Sequence, residues 1–164
     1  LLEILPVEQI NMSEYFIKSG VWSELKLDAE KIRRQVFIQE QSIPEQDEWD
    51  ALDAVSLHFV VYDRHLENDL KINQAIATAR LLENNSIGRV AVLKSYRSKG
   101  VGRLIMQQII EHARTEKRQF LKLSSQLHAI AFYESFGFQV KGEEYLDCGI
   151  PHIDMYLELI KSEN

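Results

Sequence analysis

Cysteine is almost absent from this sequence, and its scarcity excludes several kinds of chemistry. The single thiol is Cys148, so neither an internal disulfide nor a cysteine-based zinc cluster can form. This usage is typical of a reducing compartment and indicates no redox function. No activating partner for Cys148 is evident from the sequence, so we do not expect it to be a nucleophile.

Long apolar runs and an excess of positive charge are also missing. No segment approaches the roughly 20 apolar residues that cross a bilayer, and the first residues lack the basic region and apolar run of a secretory signal. We therefore expect a cytoplasmic protein with no membrane partner. The 19 basic and 25 acidic residues give a net charge of −6 without a basic stripe, which argues against nucleic acid as a partner.

What the sequence does contain is typical of a globular domain of ordinary size. Its 164 residues are 45% hydrophobic and 27% charged, enough to bury a core without disulfides or metals. No internal repeat, low-complexity tract or linker interrupts residues 1–164. We expect a single domain over that range.

The most informative segment is 86–106, which changes from strand-like alternation to helical spacing across a glycine turn. Gly100 and Gly102 allow close approach of the backbone, and the following helix start favours an anion. Arg97, Lys99 and Arg103 add positive charge there. The pattern is neither a Walker loop nor a complete dinucleotide fingerprint, so a phosphate site and a purely structural turn both remain open.

The segments before the glycine turn predict a strand, a helix and three further strands. A short strand over 15–18 precedes an amphipathic helix over 23–41, with Lys31, Arg33 and Arg34 on its polar face. Strands over 56–63 and 74–82, joined by a polar connection, lead into the strand over 86–92 as an antiparallel meander. His58 lies among apolar residues, which favours a buried, hydrogen-bonded histidine over a catalytic one.

An acidic loop over 40–50 separates the first helix from these strands. It is either a solvated connection with Trp49 against the core or a wall that offers carboxylates to an amine. After the glycine turn, a helix to about residue 117 precedes a strand over 120–125. A second helix is capped by Gly137, a strand starts at 138, and a last strand covers 153–159.

Two motifs in this order resemble the GCN5-related N-acetyltransferase (GNAT) family. Arg97-x-x-Gly100-x-Gly102 is similar to its pyrophosphate motif, and the run from Ala129 through Tyr133 to Gly137-Phe138 is similar to its second cofactor motif. Segments 36–41, 46–47 and 149–155, together with His58, resemble the ElaA-type subgroup. Lys94 and Gln126 depart from the residues that many relatives have, proline and asparagine.

The resemblance implies an α/β (α+β) fold with a mixed, mostly antiparallel sheet that is splayed between the strands 86–92 and 120–125. It also implies direct acetyl transfer from acetyl-CoA to a primary amine of a small molecule or peptide, with no metal. The pantetheine arm would add to the open strand edge. The implied cofactor-binding residues are Val90, Val92, Arg97, Ser98, Lys99, Gly100, Val101, Gly102, Arg103, Gln126, Ala129 and Phe132.

The implied catalytic residues have alternative interpretations. Tyr133 is either the acid that protonates the leaving thiolate or a packing residue. The candidate bases are His152, then Glu40, and also Asp47. The alternatives are a turn-stabilising hydrogen bond for His152, and solvent or a salt bridge to Arg33 or Arg34 for Glu40. The implied substrate contacts are Gln41, Asp47 and His58.

Other activities and assemblies remain open from the sequence. A CoA-sensing or partner-binding module would keep the same fold without turnover, and a different acyl-CoA donor would depend on the depth of the pocket. Similar proteins also make a homodimer an expectation.

Overall fold

The computed structural model describes residues 14–160, which form one seven-stranded sheet with helices on both faces. The sheet order is β1-β2-β3-β4-β5-β7-β6, and all neighbours are antiparallel except β4 and β5. The predicted mixed, mostly antiparallel sheet is thus confirmed. The strands are β1 (Glu14–Gly20), β2 (Leu57–Glu67), β3 (Leu70–Leu81), β4 (Ser86–Val92), β5 (Phe120–Gln126), β6 (Gln139–Asp147) and β7 (Ile150–Glu158).

The helices lie in the connections between the strands. No helix within residues 14–160 is both long and apolar enough to pass through a bilayer. Short 3-10 turns cover Ala51–Val55, Lys94–Tyr96 and Leu127–Ala129. The other helical elements are α1 (Trp22–Arg33), the π-helix (Arg34–Glu40) that continues it, α2 (Glu45–Glu48), α3 (Val101–Thr115) and α4 (Ile130–Glu134).

Alternation along β2 divides the core into two layers. Phe59 and Val61 face α3 and α4, while Val60 and Tyr62 face α1 and the π-helix. Successive strand residues point to opposite faces of a sheet, so a continuous apolar run is needed where both faces are covered. This is why the run over 59–62 in β2 is apolar without interruption.

β4 and β5 separate soon after they begin, as predicted. They pair only at Ser86–Lys122 and Ile87–Leu123. Just beyond, the pairing of β4 with β3 shifts register, and Arg89 has a positive φ of 51°. A bulge of this kind bends its strand, which carries the carboxyl end of β4 away from that of β5. The cleft between these two ends is the main opening in the sheet.

The helix predicted over 23–41 covers the correct residues, but its second half is wound as a π-helix. The Gln41 amide donates to the Val36 carbonyl at 3.1 Å, a five-residue hydrogen bond. The placement of Arg33 on the polar face was wrong. Its side chain is 1% exposed, because the buried carboxylates of Glu48 and Asp53 bind it.

The end of β2 and the starts of β3 and β7 also differ from the sequence prediction. Residues 64–73 do not form a loop but extend β2 and β3 into a long hairpin, whose turn is Asn68 and Asp69 with φ of 49° and 62°. Two successive positive φ angles match the twist of paired strands. β7 begins three residues earlier than predicted, so His152 lies within a strand rather than in a turn.

Candidate active site

The connection from β4 to α3 presents a row of free backbone amides. Gly100 is the N-cap of α3 with φ of 80°, and no side chain caps the helix. Within residues 14–160, the amides of residues 98–103 have no hydrogen-bond acceptor. Ser98 also has a positive φ, of 60°, which curves the chain. Free amides at the positive end of a helix form a site for an anion, and an internally capped turn would not.

The cationic side chains around these amides have other partners. Lys99 lies over the Tyr96 ring, with Nζ 5.5 Å from its centre. Arg103 donates to Ser135 Oγ at 3.1 Å and stacks on Phe136. Both cations belong to the segment that carries the amide row. Their partners are uncharged, so each side chain keeps its full positive charge there.

Gly102 is the position where the start of α3 packs closely. A Cβ there would lie 3.2 Å from Phe132 Cζ and 3.8 Å from Val92 Cγ2. Val90, Phe132 and Ala129 are partly buried against the same core, and Val101 is fully buried. Gly102, Phe132 and Val92 therefore meet at the start of α3, while Val90, Ala129 and Val101 belong to the apolar core that supports it.

Tyr133 lies in α4 beneath this support, with its ring inside the core. The residue is 8% exposed and packs edge-on against Phe132 and Phe138. Within residues 14–160 its hydroxyl makes no hydrogen bond, yet it is not among the polar atoms sealed from solvent. Burial raises the pKa of Tyr133 to about 12, so the hydroxyl is protonated at neutral pH. It can donate a proton but cannot act as a base.

The fold positions Tyr133 through the end of α4. Gly137, with φ of 98°, donates to the Glu134 carbonyl, and the Phe138 amide donates to the Tyr133 carbonyl. This pair of hydrogen bonds is a Schellman ending, which needs a left-handed residue. The predicted cap at Gly137 is confirmed.

Gln41 and Gln126 face each other across the mouth of the cleft. Gln126 Nε2 donates to Gln41 Oε1 at 3.0 Å, and Gln41 Nε2 donates back at 3.4 Å. Gln126 ends β5, and its register partner in β7 is His152. The structure therefore brings a predicted substrate residue, a predicted cofactor residue and a predicted base together.

His152 has one ring nitrogen fixed. Nδ1 lies 2.7 Å from the Ile150 carbonyl oxygen. A carbonyl can only accept, so Nδ1 carries the proton, and Nε2 is the acceptor when the ring is neutral. The ring is half-buried and stacks on Tyr145. His152 thus makes the local hydrogen bond that the alternative to a catalytic role predicted. The same hydrogen bond leaves the lone pair of Nε2 available to accept a proton.

Glu40 pairs with Arg97 rather than with Arg33 or Arg34, so the expected salt-bridge partners were wrong. Arg97 Nη1 and Nη2 donate to the two carboxylate oxygens at 2.7 and 3.0 Å. These hydrogen bonds hold the pKa of Glu40 below its ordinary value. A weakly basic carboxylate is a poor general base. Arg33 pairs instead with buried carboxylates, and Arg34 pairs with Glu45.

The acidic segment over 40–50 is neither a simple solvated loop nor a surface of unpaired carboxylates, because several of its carboxylates pair with arginines. Glu48 and Asp50 bind arginines, including Arg80 of β3 and Arg89 at the bulge in β4. Trp49 is flanked by the guanidinium groups of Arg33 and Arg34. Sequence reasoning missed this network, because arginines from three distant segments form it.

Asp47 and His58, both predicted substrate contacts, have different surroundings. Asp47 is exposed, and within residues 14–160 its carboxylate has no basic partner. His58 is 1% exposed, lies 2.8 Å from the Asp53 carbonyl oxygen through Nε2 and stacks on Trp22. Burial lowers the pKa of His58. The structure supports the buried, hydrogen-bonded interpretation and places His58 out of a substrate's reach.

A polar cluster on the outer face of β5, β6 and β7 was also missed. Tyr145 donates to Asp154 at 2.6 Å and contacts Ser124 Oγ. Asp154 lies two residues beyond His152 and therefore on the same face. The period-two spacing of His152 and Asp154 was the one available signal for this cluster.

Comparison with known proteins agrees with this arrangement. The family model described as "Acetyltransferase (GNAT) domain" matches residues 29–159. The protein YjcF of Bacillus subtilis, described as an uncharacterized N-acetyltransferase, is 36% identical over 132 residues, which are 78% of this chain and 89% of YjcF. Protein ElaA of Escherichia coli is 33% identical over 142 residues, covering 80% of this chain and 86% of ElaA.

Solved structures give the same relationship. The crystal structure of Escherichia coli ElaA superposes with a TM-score of 0.72 at 31% identity, over 87% of this chain and 99% of ElaA. A structure from Pseudomonas aeruginosa, described as an acyl-CoA N-acyltransferase, gives 0.70 at 29% identity over 87% and 99%. The chain therefore belongs to the GNAT acetyltransferase family, and ElaA is among its relatives.

Proposed function

We propose that this protein is an N-acetyltransferase that moves an acetyl group from acetyl-CoA to a primary amine of a small molecule or peptide by direct transfer. The observation that carries the proposal is the row of free amides at residues 98–103, which opens beside the cleft between β4 and β5. Free amides suit a diphosphate, and an open strand edge suits the amides of a pantetheine arm.

The names of two relatives support the same chemistry. YjcF is described as an N-acetyltransferase, and the Pseudomonas aeruginosa structure as an acyl-CoA N-acyltransferase. Acetyl-CoA supplies a thioester, whose carbonyl carbon is open to attack by a neutral amine. The remaining requirements are a proton acceptor for the amine and a proton donor for the departing thiolate.

His152 and Tyr133 are assigned these two roles. His152 Nε2 has the lone pair needed to take a proton from the acceptor ammonium, directly or through water. The Tyr133 hydroxyl, protonated because its pKa is about 12, gives a proton to the thiolate. Asp47, which has a carboxylate without a basic partner in the described part of the chain, is assigned to attract the incoming cation.

Calorimetry with acetyl-CoA, followed by thiol release in the presence of an amine panel, tests the proposal. We expect saturable binding and amine-dependent release of free CoA. Absence of binding at millimolar acetyl-CoA would end the proposal. Binding without turnover on any amine would favour a CoA-sensing or partner-binding module instead.

The variant His152→Gln tests whether His152 acts as the general base or only makes a structural hydrogen bond. Glutamine keeps a polar side chain but cannot take up a proton, so we expect kcat to fall about 10²–10⁴-fold with acetyl-CoA affinity unchanged. Unchanged kcat would assign His152 only to the hydrogen bond that it makes near the turn.

A further inference from the structure

The end of the π-helix contacts both sides of the cleft between β4 and β5. Glu40 binds Arg97, which follows β4, and Gln41 binds Gln126, which ends β5. Two consecutive residues thus bridge the opening, and we call Glu40–Gln41 the strap. A π-helical turn moves its residues out of the ordinary helical register and is frequent at functional sites.

Arg97 also holds a backbone group that faces the cleft. The Leu93 amide donates to the Ile76 carbonyl of β3 at 2.9 Å. The carbonyl and amide of one trans peptide point in opposite directions, so the Val92 carbonyl points away from β3 and towards β5. Arg97 Nε donates to that carbonyl at 3.0 Å. The guanidinium therefore binds the strand edge that an added chain would use.

Glu40 fixes this position of Arg97 and neutralises its charge. The carboxylate forks over Nη1 and Nη2, so three of the five guanidinium N–H groups are engaged by Glu40 and Val92 together. The paired side chains are 35% and 39% exposed, which makes the ion pair weak enough to break. By neutralising Arg97, Glu40 also removes a positive charge that would attract a diphosphate.

We propose that Glu40 is a positioning residue that holds Arg97 on the Val92 carbonyl in competition with the pantetheine amide of CoA, and thereby promotes release of the CoA product. This inference rests on the proposed function. A carbonyl oxygen has two lone pairs, but the Arg97 guanidinium occupies the open strand edge from which the pantetheine amide would approach, so holding Arg97 there weakens the hydrogen bond to the pantetheine amide. When CoA leaves, the Glu40–Arg97 pair closes the strand edge again.

The test compares Glu40→Gln with Glu45→Gln, a matched control that removes a carboxylate from another exposed arginine pair, Arg34–Glu45. Calorimetry gives the Kd of CoA, and initial rates give kcat and the product-inhibition constant of CoA. Titration with pantetheine, which has no phosphate, separates competition at the strand edge from the effect of charge. Binding of pantetheine is measured from the changes in the amide NMR chemical shifts of β4.

We expect Glu40→Gln to bind both CoA and pantetheine about threefold more tightly, as the loss of an exposed ion pair permits, with stronger product inhibition by CoA. Glu45→Gln should change none of these. Unchanged or weaker CoA binding would overturn the inference, and so would tighter binding of CoA but not of pantetheine. A fall in kcat of about 100-fold with unchanged affinity would make Glu40 the base instead.

The failure of this inference is distinguishable from that of the proposed function. If neither the parent nor Glu40→Gln binds CoA, the proposed function fails and the inference fails with it. If the parent binds CoA and turns over an amine while Glu40→Gln shows no gain in affinity, only the role of Glu40 is wrong.

Discussion

At the scale of single residues, the Tyr133 hydroxyl is the group whose removal is most informative. It makes no hydrogen bond within residues 14–160, so Tyr133→Phe should leave the free energy of unfolding unchanged or slightly higher. We expect kcat to fall about 10²–10⁴-fold while acetyl-CoA affinity stays constant. Tyr156→Phe, which removes a phenol from the outer face of the sheet, is the control. Equal kcat in both variants would show that Tyr133 only packs.

The same residue predicts a pH dependence. The pKa of Tyr133 is about 12, so the donor proton is present throughout the pH range of ordinary assays and is lost only as pH rises towards that value. We therefore expect ionisation of Tyr133 to cause no fall in kcat between pH 6 and 10, so the parent and Tyr133→Phe should show the same dependence of kcat on alkaline pH. If the kcat of the parent falls at alkaline pH and this fall disappears in the variant, the hydroxyl ionises in that range and the assignment of its protonation state is wrong.

Asp50 gives a second residue-scale prediction, on stability. Arg80 donates to both its carboxylate oxygens, at 2.7 and 2.8 Å, and lowers the pKa of Asp50 from 3.8 to about 2. A lowered folded-state pKa stabilises the fold above pH 4, and this contribution is lost as pH falls from about 4 to 2. Thermal unfolding between pH 2 and 7 should show a smaller acid-dependent drop for Asp50→Asn.

Asp47→Asn is the control for this experiment, since within the described residues its carboxylate has no basic partner. We expect it to keep the acid dependence of the parent. The neighbouring Glu48 acts in the opposite direction, because burial raises its pKa and its ionisation disfavours the fold. An Asp50→Asn variant with the full acid-dependent loss would show that other carboxylates cause it.

At the scale of elements, the turn into α3 contains two glycines that are required for different reasons, one for its backbone conformation and one for the lack of room for a side chain. Gly100 has φ of 80° and open space around its Cβ position, whereas Gly102 faces Phe132 at 3.2 Å. Gly100→Ala should cost about 1–2 kcal/mol of unfolding free energy through the left-handed backbone alone. Urea unfolding measures this, and an unchanged midpoint would contradict it.

Gly102→Leu tests the other half of the same turn. A leucine there must displace Phe132 and disturb the start of α3, which carries part of the amide row, so we expect CoA affinity to fall at least about tenfold. Calorimetry measures the change, and Gly100→Ala provides the comparison in which the Cβ meets nothing. Parent-like CoA binding by Gly102→Leu would place the diphosphate elsewhere.

At the scale of the whole molecule, ligand binding should couple to global stability. A ligand that binds only the folded state adds about 2.7 kcal/mol to the free energy of unfolding at 100 times its Kd. For a chain of this size each kcal/mol raises Tm by about 2–4 °C, so CoA should raise Tm by about 5–10 °C. Differential scanning fluorimetry with CoA measures the shift. No shift at saturation by calorimetry would contradict binding to the native fold.

Hydrogen exchange locates this stabilisation in the molecule. The amides of residues 98–103 have no acceptor in the described structure, and we expect them to exchange rapidly without CoA and to be protected with it. The exposed tip of the β2–β3 hairpin at Asn68 and Asp69 is the internal control, because it lies at the end of a strand pair remote in register from the cleft. Equal protection at both places would indicate a general effect rather than a site.

The sequence alone determined the elements that depend on local patterns. The period change across 86–106 predicted β4, the glycine turn and α3, and the pattern before Gly137 predicted a helix with a glycine cap; Tyr133 was singled out only by the family resemblance. Local backbone preference and side-chain periodicity are encoded within a few residues, so they can be read without knowing the neighbours.

Tertiary structure decided which charges meet. Arg33 was assigned to solvent from its helical position, yet it pairs with Glu48 and Asp53 from a later segment. Glu40 was weighed as a base, but Arg97 of the β4–α3 connection binds it and lowers its pKa. An ion pair depends on a distance between side chains far apart in the chain, and only the folded sheet sets that distance.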